Sequence, residues 1–380
     1  MKKMSSLRVS GKRVLLRVDF NVPIENGVIK DRYRISASVP TIKKLLKRGA
    51  SLIIIAHLGR PEGYDTSLTL RPIVRVLSGM LKKKIQFVKT IEEAEKEAHM
   101  LGKGRILMLE NIRFFKGEVE NSLEFSQRLA ALGDVYVNDA FGNAHREHAS
   151  TVGVPKYLPH AAGLLLEKEV EYLGRVFKKS KRPIVAIIGG AKIQSKLPLI
   201  EQFLKKADAI LVGGGIANTI LAAKHISIGL SVADVNVDIS WLDLSSRKFH
   251  LPVDAAVTES LAVGSRYAVR AVGEVLKGEY IADIGPDSVL LFKAIVAEAK
   301  TIIWNGPLGY IEVPAFSKGT IELVKAVAGS KAFKIIGGGD LNRVVDSLKL
   351  QKKLDHMSTG GGAMLEFLAG KKLPGIEALK

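Results

Sequence analysis

Apolar runs of strand length alternate with helical patterns along the whole chain. In the first half the apolar runs lie at residues 14–18, 52–56, 106–109 and 135–137, with helical periodicity at 38–48, 71–82 and 122–132. In the second half they lie at 184–188, 210–212, 255–257, 301–304 and 334–336. Nearly continuous apolar strands separated by helices are typical of parallel sheets that are covered on both faces. The pattern predicts an α/β fold with two Rossmann-like, three-layer domains.

A long charged helical pattern at residues 165–181 separates the two halves. It closes on Arg182-Pro183, and proline stops a helix and restarts the chain as a strand. A length of 380 residues also favours two domains. We therefore predict two domains joined by a hinge helix.

Three strand ends in the second half run directly into glycine. The junctions read Gly189-Gly190-Ala191-Lys192, Gly213-Gly214-Gly215 and Gly337-Gly338-Gly339-Asp340. Ligands of open parallel sheets bind beyond the carboxyl ends of the strands, and glycine there lets backbone N–H groups approach phosphate oxygens. The spacing matches neither the P-loop nor the dinucleotide fingerprint, so hydride transfer from NAD loses its main support. The junctions predict a nucleotide phosphate site.

Charged residues follow two of these junctions. Lys192 and Lys196 are four residues apart, which predicts one helix face at the positive N-terminal end. Their alternative is a pair of surface lysines. Asp340 can hold a magnesium ion that bridges nucleotide phosphates, since Mg²⁺ takes one or two carboxylates plus phosphate oxygens and water. Its alternative is a helix N-cap, and the two roles can coexist.

Polar and basic residues follow the strands of the first half. They are Asp19, Asn21, His57, Arg60, Glu110, Asn111, Arg113, Asn138, Asp139, His145 and Arg146, with Arg34 on the segment after the first strand. In a parallel sheet these positions converge on one edge, where the planar fork of arginine matches carboxylate and phosphate oxygens. The group predicts a clamp for a small polyanion. Taken singly, an arginine here could be a surface ion-pair partner, and His57 could satisfy a backbone carbonyl.

The charge distribution agrees with an anionic ligand in the first half. The formal net charge is +19, and residues 1–163 hold 28 lysines and arginines against 16 acidic residues. The alternatives are a solvated lysine-rich surface, as in many thermophile proteins, and nucleic-acid binding. Nucleic-acid binding would predict many aromatic residues among the basic ones, but aromatics make up only 6% of the chain.

Cysteine usage and hydropathy narrow the remaining classes of protein. The chain has no cysteine, which excludes disulfides, thiolate nucleophiles and cysteine zinc sites and suits a reducing cytoplasm. The apolar runs stay well short of the roughly 20 residues of a membrane span. We expect a cytoplasmic protein with no membrane and no nucleic-acid partner.

Eight motifs in order across nearly the whole chain resemble the phosphoglycerate kinase family. In the first half they are Arg17-Val18-Asp19-Phe20-Asn21-Val22-Pro23, His57-Leu58-Gly59-Arg60-Pro61, Glu110-Asn111-Ile112-Arg113-Phe114 and Val137-Asn138-Asp139-Ala140-Phe141-Gly142. In the second half they are Gly189-Gly190-Ala191-Lys192, Trp304-Asn305-Gly306-Pro307, Gly337-Gly338-Gly339-Asp340 and Ser358-Thr359-Gly360-Gly361-Gly362-Ala363. Eight long motifs in family order are far more specific than a single glycine pattern.

The resemblance implies reversible phosphoryl transfer from 1,3-bisphosphoglycerate to Mg-ADP, giving 3-phosphoglycerate and Mg-ATP, in glycolysis and gluconeogenesis. We expect the protein to be a monomer. It implies that the phosphoglycerate is held by Asp19, Asn21, Arg34, His57, Arg60, Arg113 and Arg146. It implies that the nucleotide is held by Gly190, Ala191, Lys192, Lys196, Asn305, Gly306, Pro307, Glu312, Gly338, Gly339 and Asp340, with Glu312 on the ribose and Asp340 on Mg²⁺. The implied catalytic residues are Arg34, Lys196 and Gly338.

The resemblance also divides the chain. Residues 1–163 with 371–380 form a phosphoglycerate-binding N-terminal domain, 164–182 the hinge helix and 183–370 a nucleotide-binding C-terminal domain. Because the two sites lie on separate domains, we expect hinge closure. Leu341 stands where the family usually has a small hydroxyl residue, and residues 225–250 match no family motif. Another two-domain nucleotide-dependent kinase is the alternative; loss of the four arginines would favour it, and all four are present.

Overall fold

The computed structural model describes residues 1–234 and 236–380, apart from the side chain of residue 177. The chain forms two compact units. Unit 1 comprises Met1–Glu171 with Lys372–Lys380, and unit 2 comprises Tyr172–Lys371. The division falls inside a helix that runs over Leu164–Lys178, within the predicted hinge segment. Among the described residues, no helix has the length and apolar character needed to span a membrane.

Unit 1 is an α/β unit built on one parallel sheet. Its strands are β1 (Arg13–Arg17), β2 (Ile24–Glu25), β3 (Val28–Ile29), β4 (Ser51–Ile55), β5 (Gln86–Val88), β6 (Ile106–Leu109), β7 (Val135–Asn138) and β8 (His160–Ala162). Its helices are α1 (Tyr33–Lys47), α2 (Arg71–Leu81), α3 (Ile91–His99), α4 (Leu123–Ala131) and the start of α5 (Leu164–Lys178), with the short α12 (Pro374–Glu377) at the C-terminus.

The main sheet of unit 1 has six strands in the order β5-β6-β4-β1-β7-β8. All of its pairings are parallel, so the segments after these strands emerge at one edge. The fully buried runs of β4 and β6 explain why the sequence shows continuous apolar stretches rather than alternation. The C-terminal segment is part of this unit, because the amide of Gly375 donates to the carbonyl of Ala144 at 2.8 Å.

Helix α1 begins earlier than predicted. The periodicity indicated a start at residue 38, whereas the helix starts at Tyr33 and carries Pro40 in its interior. The earlier start matters for the site, because Arg34 then belongs to the first turn of a helix rather than to a loop. A helical backbone holds the direction of its side chain more firmly than a loop does.

Unit 2 repeats the architecture with an added sheet. Its strands are β9 (Ile184–Ile188), β10 (Ala209–Val212), β11 (Phe249–His250), β12 (Asp254–Thr258), β13 (Ala268–Ala271), β14 (Tyr280–Ile284), β15 (Thr301–Asn305), β16 (Phe333–Gly337) and β17 (His356–Ser358). Its helices are α6 (Leu197–Lys206), α7 (Gly214–Ala223), α8 (Pro286–Glu298), α9 (Lys318–Gly329), α10 (Gly339–Ser347) and α11 (Gly361–Leu368).

The six-stranded parallel sheet of unit 2 has the order β11-β10-β9-β15-β16-β17. The chain leaves β9 toward β10 on one side and later returns to β15 on the other, so the strand order reverses between β9 and β15. Such a reversal is the topological switch point at which open α/β sheets bind ligands. The segments after β9 and β15 are therefore the expected floor of a binding site.

The run at residues 255–257 was expected in the parallel sheet, and this expectation is wrong. It lies in β12, the centre of a separate antiparallel sheet of order β13-β12-β14. The segment between β12 and β13 is too short for the helical crossover of about a dozen residues that a parallel pair requires. Its apolar character comes from burial within this small sheet, where Ala255 and Val257 pack with Val275.

Candidate active site

The loop after β4 joins three of the sequence motifs of unit 1. The amide of Gly59 donates to Oδ1 of Asn21 at 2.9 Å, and the carbonyl of Gly59 accepts from Nη1 of Arg113 at 2.5 Å. Arg34 donates to the carbonyl of Asn21, and its Nη1 lies 3.7 Å from Oδ2 of Asp19. These contacts bring residues of the β1, β4 and β6 loops and of α1 together, as the convergence of parallel strand ends predicts.

Gly59 is required for this arrangement. Its φ is +65°, in the left-handed region that glycine adopts without strain. A Cβ atom at this position would lie 2.8 Å from the side chain of Leu68. A larger residue would therefore strain the backbone of the loop that carries His57 and Arg60 and would push against the Leu68 side chain.

We call Arg34, Arg60, Arg113 and Arg146, with His57, the arginine cluster. Burial, together with the nearby charges of Arg17, Arg60 and Arg146, lowers the pKa of Arg113 to about 10, although Glu118 opposes the shift. Burial also holds the pKa of His57 well below its ordinary value, reinforced by Arg17, Arg113 and Arg34. Like charges that depress one another's protonation mark a place that an anion would stabilise.

The exposure of the cluster suits a ligand site. Arg60 and Arg146 are exposed, Arg34 and Arg113 are half-buried, and His57 is buried. The alternative roles for single residues, a surface ion pair for an arginine and a backbone-carbonyl contact for His57, apply only in part. Arg34 has an acidic neighbour in Asp19, and His57 contacts an arginine rather than a backbone carbonyl.

Several polar residues that follow the strands of unit 1 support the loops instead of facing a ligand. Asn111 clamps the 57–59 loop, since its amide group donates to the carbonyl of Leu58 at 2.7 Å and accepts from the Leu58 amide at 3.2 Å. Glu110 accepts from the amide of Leu70 at 2.8 Å. Asp139 accepts from the amide of Leu165 at 2.9 Å in the first turn of α5.

Sequence reasoning assigned no role to four buried residues beside the cluster, namely Arg17, Glu118, His148 and Ser150. Arg17 and Ser150 are fully buried, and Nε of Arg17 donates to Oγ of Ser150 at 2.9 Å. Burial, with Arg113 next in importance, lowers the pKa of His148 to about 4. The sequence feature that could have pointed to this group is Arg17 itself, a charged residue at the end of an otherwise apolar strand.

In unit 2 the glycine loops after β9 and β15 lock together at the switch point. The amide of Gly189 donates to the carbonyl of Asn305 at 2.9 Å, and the amide of Gly190 donates to the carbonyl of Pro307 at 2.7 Å. A Cβ atom on Gly189 would lie 2.0 Å from that Pro307 oxygen. Because the two backbones approach so closely, only glycine fits at position 189, which explains why this strand end runs into glycine.

Lys196 is buried under these loops, and its ammonium group donates to the carbonyl of Gly189. Burial lowers the pKa of Lys196 to about 8, although Asp340 opposes the shift. The prediction that Lys192 and Lys196 share a helix face is wrong. Helix α6 begins only at Leu197, because Pro198 marks its first turn, and Lys192 lies exposed in the loop before it.

The N-terminus of α10 offers donors for an anion. Its N-cap is Gly338, with φ +106° and no side-chain cap, so Asp340 lies in the first turn and the N-cap alternative for it is wrong. The first amides of a helix have no intrahelical acceptor. Nδ2 of Asn305, near Gly338, is buried without a hydrogen-bond partner among the described residues. Unpaired donors beside a helix N-terminus suit phosphate.

Asp340 has the position and chemistry that a nucleotide-bound magnesium ion needs. Its carboxylate is 58% exposed and pairs with Nη2 of Arg343 at 2.5 Å. Within residues 1–234 and 236–380, no group of three or more acidic, histidine or cysteine side chains forms a metal site. A single exposed carboxylate fits a metal that takes most of its ligands from phosphate and water. The Leu341 side chain is fully buried, so this position adds no hydroxyl.

A cavity of about 260 Å³ opens beside these loops. Its lining includes Gly190, Ala191, Pro307, Glu312 and Asp340 from the predicted nucleotide residues, together with Asn218, Ser231, Val232, Leu261, Tyr280 and Tyr310. Ser231 and Val232 belong to the 225–250 span that matched no motif. The other predicted residues, Lys192, Lys196, Asn305, Gly306, Gly338 and Gly339, belong to the neighbouring glycine loops and the start of α10.

Comparisons with known proteins agree with the sequence motifs. Residues 4–371 match the family model described as phosphoglycerate kinase. A phosphoglycerate kinase from Moorella thermoacetica is 44% identical over 385 residues, covering 99% of this chain and 98% of its own length. One from Dictyoglomus turgidum is 43% identical over 381 residues, covering 98% and 96%.

Solved structures give the same result. The phosphoglycerate kinase from Coxiella burnetii is 40% identical, with a TM-score of 0.83 and coverage of 99% of this chain and 98% of its own. The enzyme from Pyrococcus horikoshii OT3 is 32% identical, with a TM-score of 0.89 and coverage of 100% and 98%. Because the family model, the relatives and the solved structures all cover nearly the whole chain, the resemblance seen in the motifs is confirmed and the chain belongs to the phosphoglycerate kinase family.

Proposed function

We propose that the arginine cluster of unit 1 binds phosphoglycerate and that the glycine loops of unit 2 bind the magnesium complex of ADP or ATP. The reaction itself is that of the family: reversible phosphoryl transfer from 1,3-bisphosphoglycerate to ADP, giving 3-phosphoglycerate and ATP in glycolysis. The proposal concerns which residues carry each part of that reaction in this chain.

The observation that carries the phosphoglycerate assignment is the meeting of Arg34, Arg113 and Asn21 at Gly59. Guanidinium groups that donate to backbone carbonyls are held in fixed orientations. Such preorganised forks match the carboxylate and phosphate oxygens of a small polyanion. Asp19 supports Arg34, and the exposed Arg60 and Arg146 complete the binding set together with His57.

The nucleotide assignment is supported by the backbone geometry of unit 2. The first amides of α10, with Gly338 and Gly339 at its start, present N–H donors of the kind that bind phosphates, and the glycine loop at Gly190 lines the adjacent cavity. Lys192 and Lys196 add positive charge, and Asn305, Gly306 and Pro307 shape the floor. Glu312, on the cavity wall, takes the ribose.

Catalysis in this scheme rests on charge placement. Arg34 on the phosphoglycerate side, and Lys196 with the Gly338 backbone on the nucleotide side, stabilise charge on the transferring phosphoryl group. The attacking oxygen is already an anion, so no general base is needed. Bound Mg²⁺ supplies further charge neutralisation on the nucleotide phosphates, and Asp340 would hold it.

The remaining assignments follow the sequence expectations. We infer that the protein works in the cytoplasm as a monomer, with ADP and ATP as its nucleotides and without a nucleic-acid or membrane partner. The absence of cysteine supports the cytoplasmic assignment, and the low aromatic content of 6% argues against a nucleic-acid partner.

A coupled assay with 3-phosphoglycerate and Mg-ATP tests the reaction, and calorimetry with each ligand alone tests the residue assignment. Arg60→Ala should weaken 3-phosphoglycerate binding and leave Mg-ADP binding unchanged, whereas Lys192→Met should do the opposite. Turnover without this division of binding effects would refute the residue assignment while leaving the reaction intact.

A further inference from the structure

Arg17, the last residue of β1, has a fully buried side chain with three separate acceptors. Its Nε donates to Oγ of Ser150 at 2.9 Å, and its Nη1 donates to the carbonyl of Val18. Its Nη2 lies 3.3 Å from Nδ1 of His57. Among the residues that the structure describes, no other hydrogen bond reaches the His57 ring.

The contact with Arg17 determines where the proton of His57 lies. A guanidinium group has only donors and stays charged in proteins. Nδ1 of His57 must therefore accept, which requires a lone pair on that nitrogen. The neutral ring then carries its proton on Nε2, and the imidazolium form, with N–H groups on both nitrogens, does not fit the contact.

Ser150 and Glu118 hold Arg17 in this orientation. The Ser150 hydroxyl accepts a hydrogen bond from Arg17 and donates its one proton to Oε1 of Glu118 at 2.6 Å. The backbone amide of Ser150 donates to Oε2 of Glu118 at 2.9 Å. Burial raises the pKa of Glu118, and Arg17 opposes the shift. Unlike a carboxyl group buried without a cation, Glu118 faces the positive charge of Arg17, so its carboxylate compensates the buried guanidinium.

The charges around the ring favour the same state. Arg17, Arg113 and Arg34 face His57 from β1, the β6 loop and α1, and His148 lies near it. A further positive charge on the ring would be repelled by all of the arginines. Together with burial, they hold the pKa of His57 well below its ordinary value.

We propose that Arg17 is a positioning residue that fixes His57 as the neutral Nε2–H tautomer and leaves Nε2–H as a hydrogen-bond donor to the phosphoglycerate. The proposal rests on the function proposed above for His57. In this scheme the arginines supply the positive charge of the cluster, and the uncharged ring of His57 supplies one hydrogen-bond donor in a fixed direction.

The unmodified protein tests the tautomer directly. With the histidine rings labelled with ¹⁵N, long-range ¹H–¹⁵N correlation spectra distinguish the two neutral tautomers and the imidazolium, and the His57→Gln variant assigns the resonance. At pH 7 we expect a bare Nδ1 and a protonated Nε2, and this state should persist as the pH is lowered through the ordinary histidine pKa of about 6.5, because the pKa of His57 is depressed. An Nδ1–H tautomer or an imidazolium at pH 7 would overturn the proposal.

A double variant tests the part played by Arg17. Arg17→Met alone leaves the Glu118 carboxylate buried and uncompensated, which can prevent folding. Arg17→Met with Glu118→Gln removes both charges. In this variant the His57 resonances should shift toward a mixture of tautomers, and ADP affinity should stay unchanged. An unaltered His57 spectrum in the folded double variant would show that Arg17 does not set the tautomer.

Two substitutions at His57 separate the tautomer from the ligand contact. The Gln amide places an N–H donor near the position of Nε2, whereas the shorter Asn side chain mimics Nδ1. We expect His57→Asn to weaken 3-phosphoglycerate binding by about 10- to 100-fold, as for one hydrogen bond to a charged group, and His57→Gln to weaken it much less. Equal losses would overturn the Nε2–H donor. No loss in either would refute the ligand role of His57, while the wild-type spectrum still decides the tautomer.

Discussion

The ammonium group of Lys196 donates a hydrogen bond to the carbonyl oxygen of Gly189, directly beneath the loop that follows β9. Neighbouring glycines leave the space for it. A Cβ atom on Gly190 would lie 2.7 Å from Nζ of Lys196, and one on Gly306 would lie 2.9 Å from it. The glycines at this switch point therefore leave the space that the buried lysine occupies.

We expect the buried state of Lys196 to make nucleotide use dependent on pH. Burial lowers its pKa to about 8, so in the free enzyme the ammonium is lost as the pH rises above this value. We expect kcat/KM for Mg-ADP to fall above about pH 8, because this parameter reports groups of the free enzyme. In Lys196→Arg, which stays charged, that alkaline limb should disappear.

Two further variants complete the Lys196 test. Lys196→Met should reduce turnover by about 10²- to 10³-fold, the usual cost of removing a donor aimed at transition-state charge. Lys205→Met, in which the exposed lysine of α6 is removed, should keep wild-type turnover and the alkaline limb. An unchanged pH profile in Lys196→Arg would contradict the assignment.

Much of this fold was predictable from the sequence. Strands buried on both faces, such as β4 and β9, appear as continuous apolar runs, and glycines mark the points where backbones nearly touch. The antiparallel position of β12 was not predictable, because a buried strand shows the same apolar run in either kind of sheet. Edge strands such as β11, two residues long, are too short to leave any pattern.

Arg34 gives the second prediction. It lies in the first turn of α1, beside Asp19, and donates to the carbonyl of Asn21. Arg34→Ala should lower turnover by about 10²- to 10³-fold, because it removes a charge donor from the transferring group. Arg75→Ala, on the exposed face of α2, is the matched control and should leave turnover unchanged. Wild-type turnover in Arg34→Ala would exclude its catalytic role.

The ion pair between Asp340 and Arg343 gives the third prediction. Asp340→Ala should weaken Mg-ADP binding and leave 3-phosphoglycerate binding unchanged in calorimetry, because the proposed sites lie on different units. Arg343→Ala removes a cation that competes with Mg²⁺ for the carboxylate. Since exposed pairs contribute about 0.2–1 kcal/mol, Mg-ADP binding should become tighter by a few-fold at most.

A matched control and a contrary result sharpen the Asp340 test. Asp346→Ala, farther along the exposed side of α10, should alter neither ligand. If Arg343→Ala weakens binding of ADP both with and without Mg²⁺, the guanidinium contacts the phosphates instead of competing with the metal. In that case Arg343 takes the place of the hydroxyl residue that Leu341 replaces.

The side-chain network around His57 shows where sequence reasoning stops. The motif containing Arg17 was visible, but the partner residues Glu118 and Ser150 come from distant segments and carry no local pattern. Likewise, the spacing of Lys192 and Lys196 suggested a helix, and only the place where α6 begins shows that one is buried and the other exposed. Burial of single polar residues depends on tertiary packing that periodicity does not encode.

Asp283, at the end of β14, gives a prediction on stability. Its carboxyl group is buried beside the nucleotide cavity and accepts from the amides of Ile284 at 2.9 Å and Gly319 at 2.7 Å. Burial raises its pKa to about 7, from an ordinary value of 3.8. Between these two values the folded state binds one proton more than the unfolded state, so its contribution to the free energy of unfolding falls as the pH rises from about 4 to about 7.

Asp283→Asn removes this titration, so wild type should lose stability relative to the variant across that pH window. Both tryptophans, Trp241 and Trp304, lie in unit 2, so their fluorescence during urea unfolding reports the unit that contains Asp283. Repeating the series at high salt separates this effect from surface charges, because salt screens exposed pairs far more than buried groups. A wild-type-minus-variant difference that stays constant from pH 4 to pH 8 would show that Asp283 does not hold a proton in the folded state.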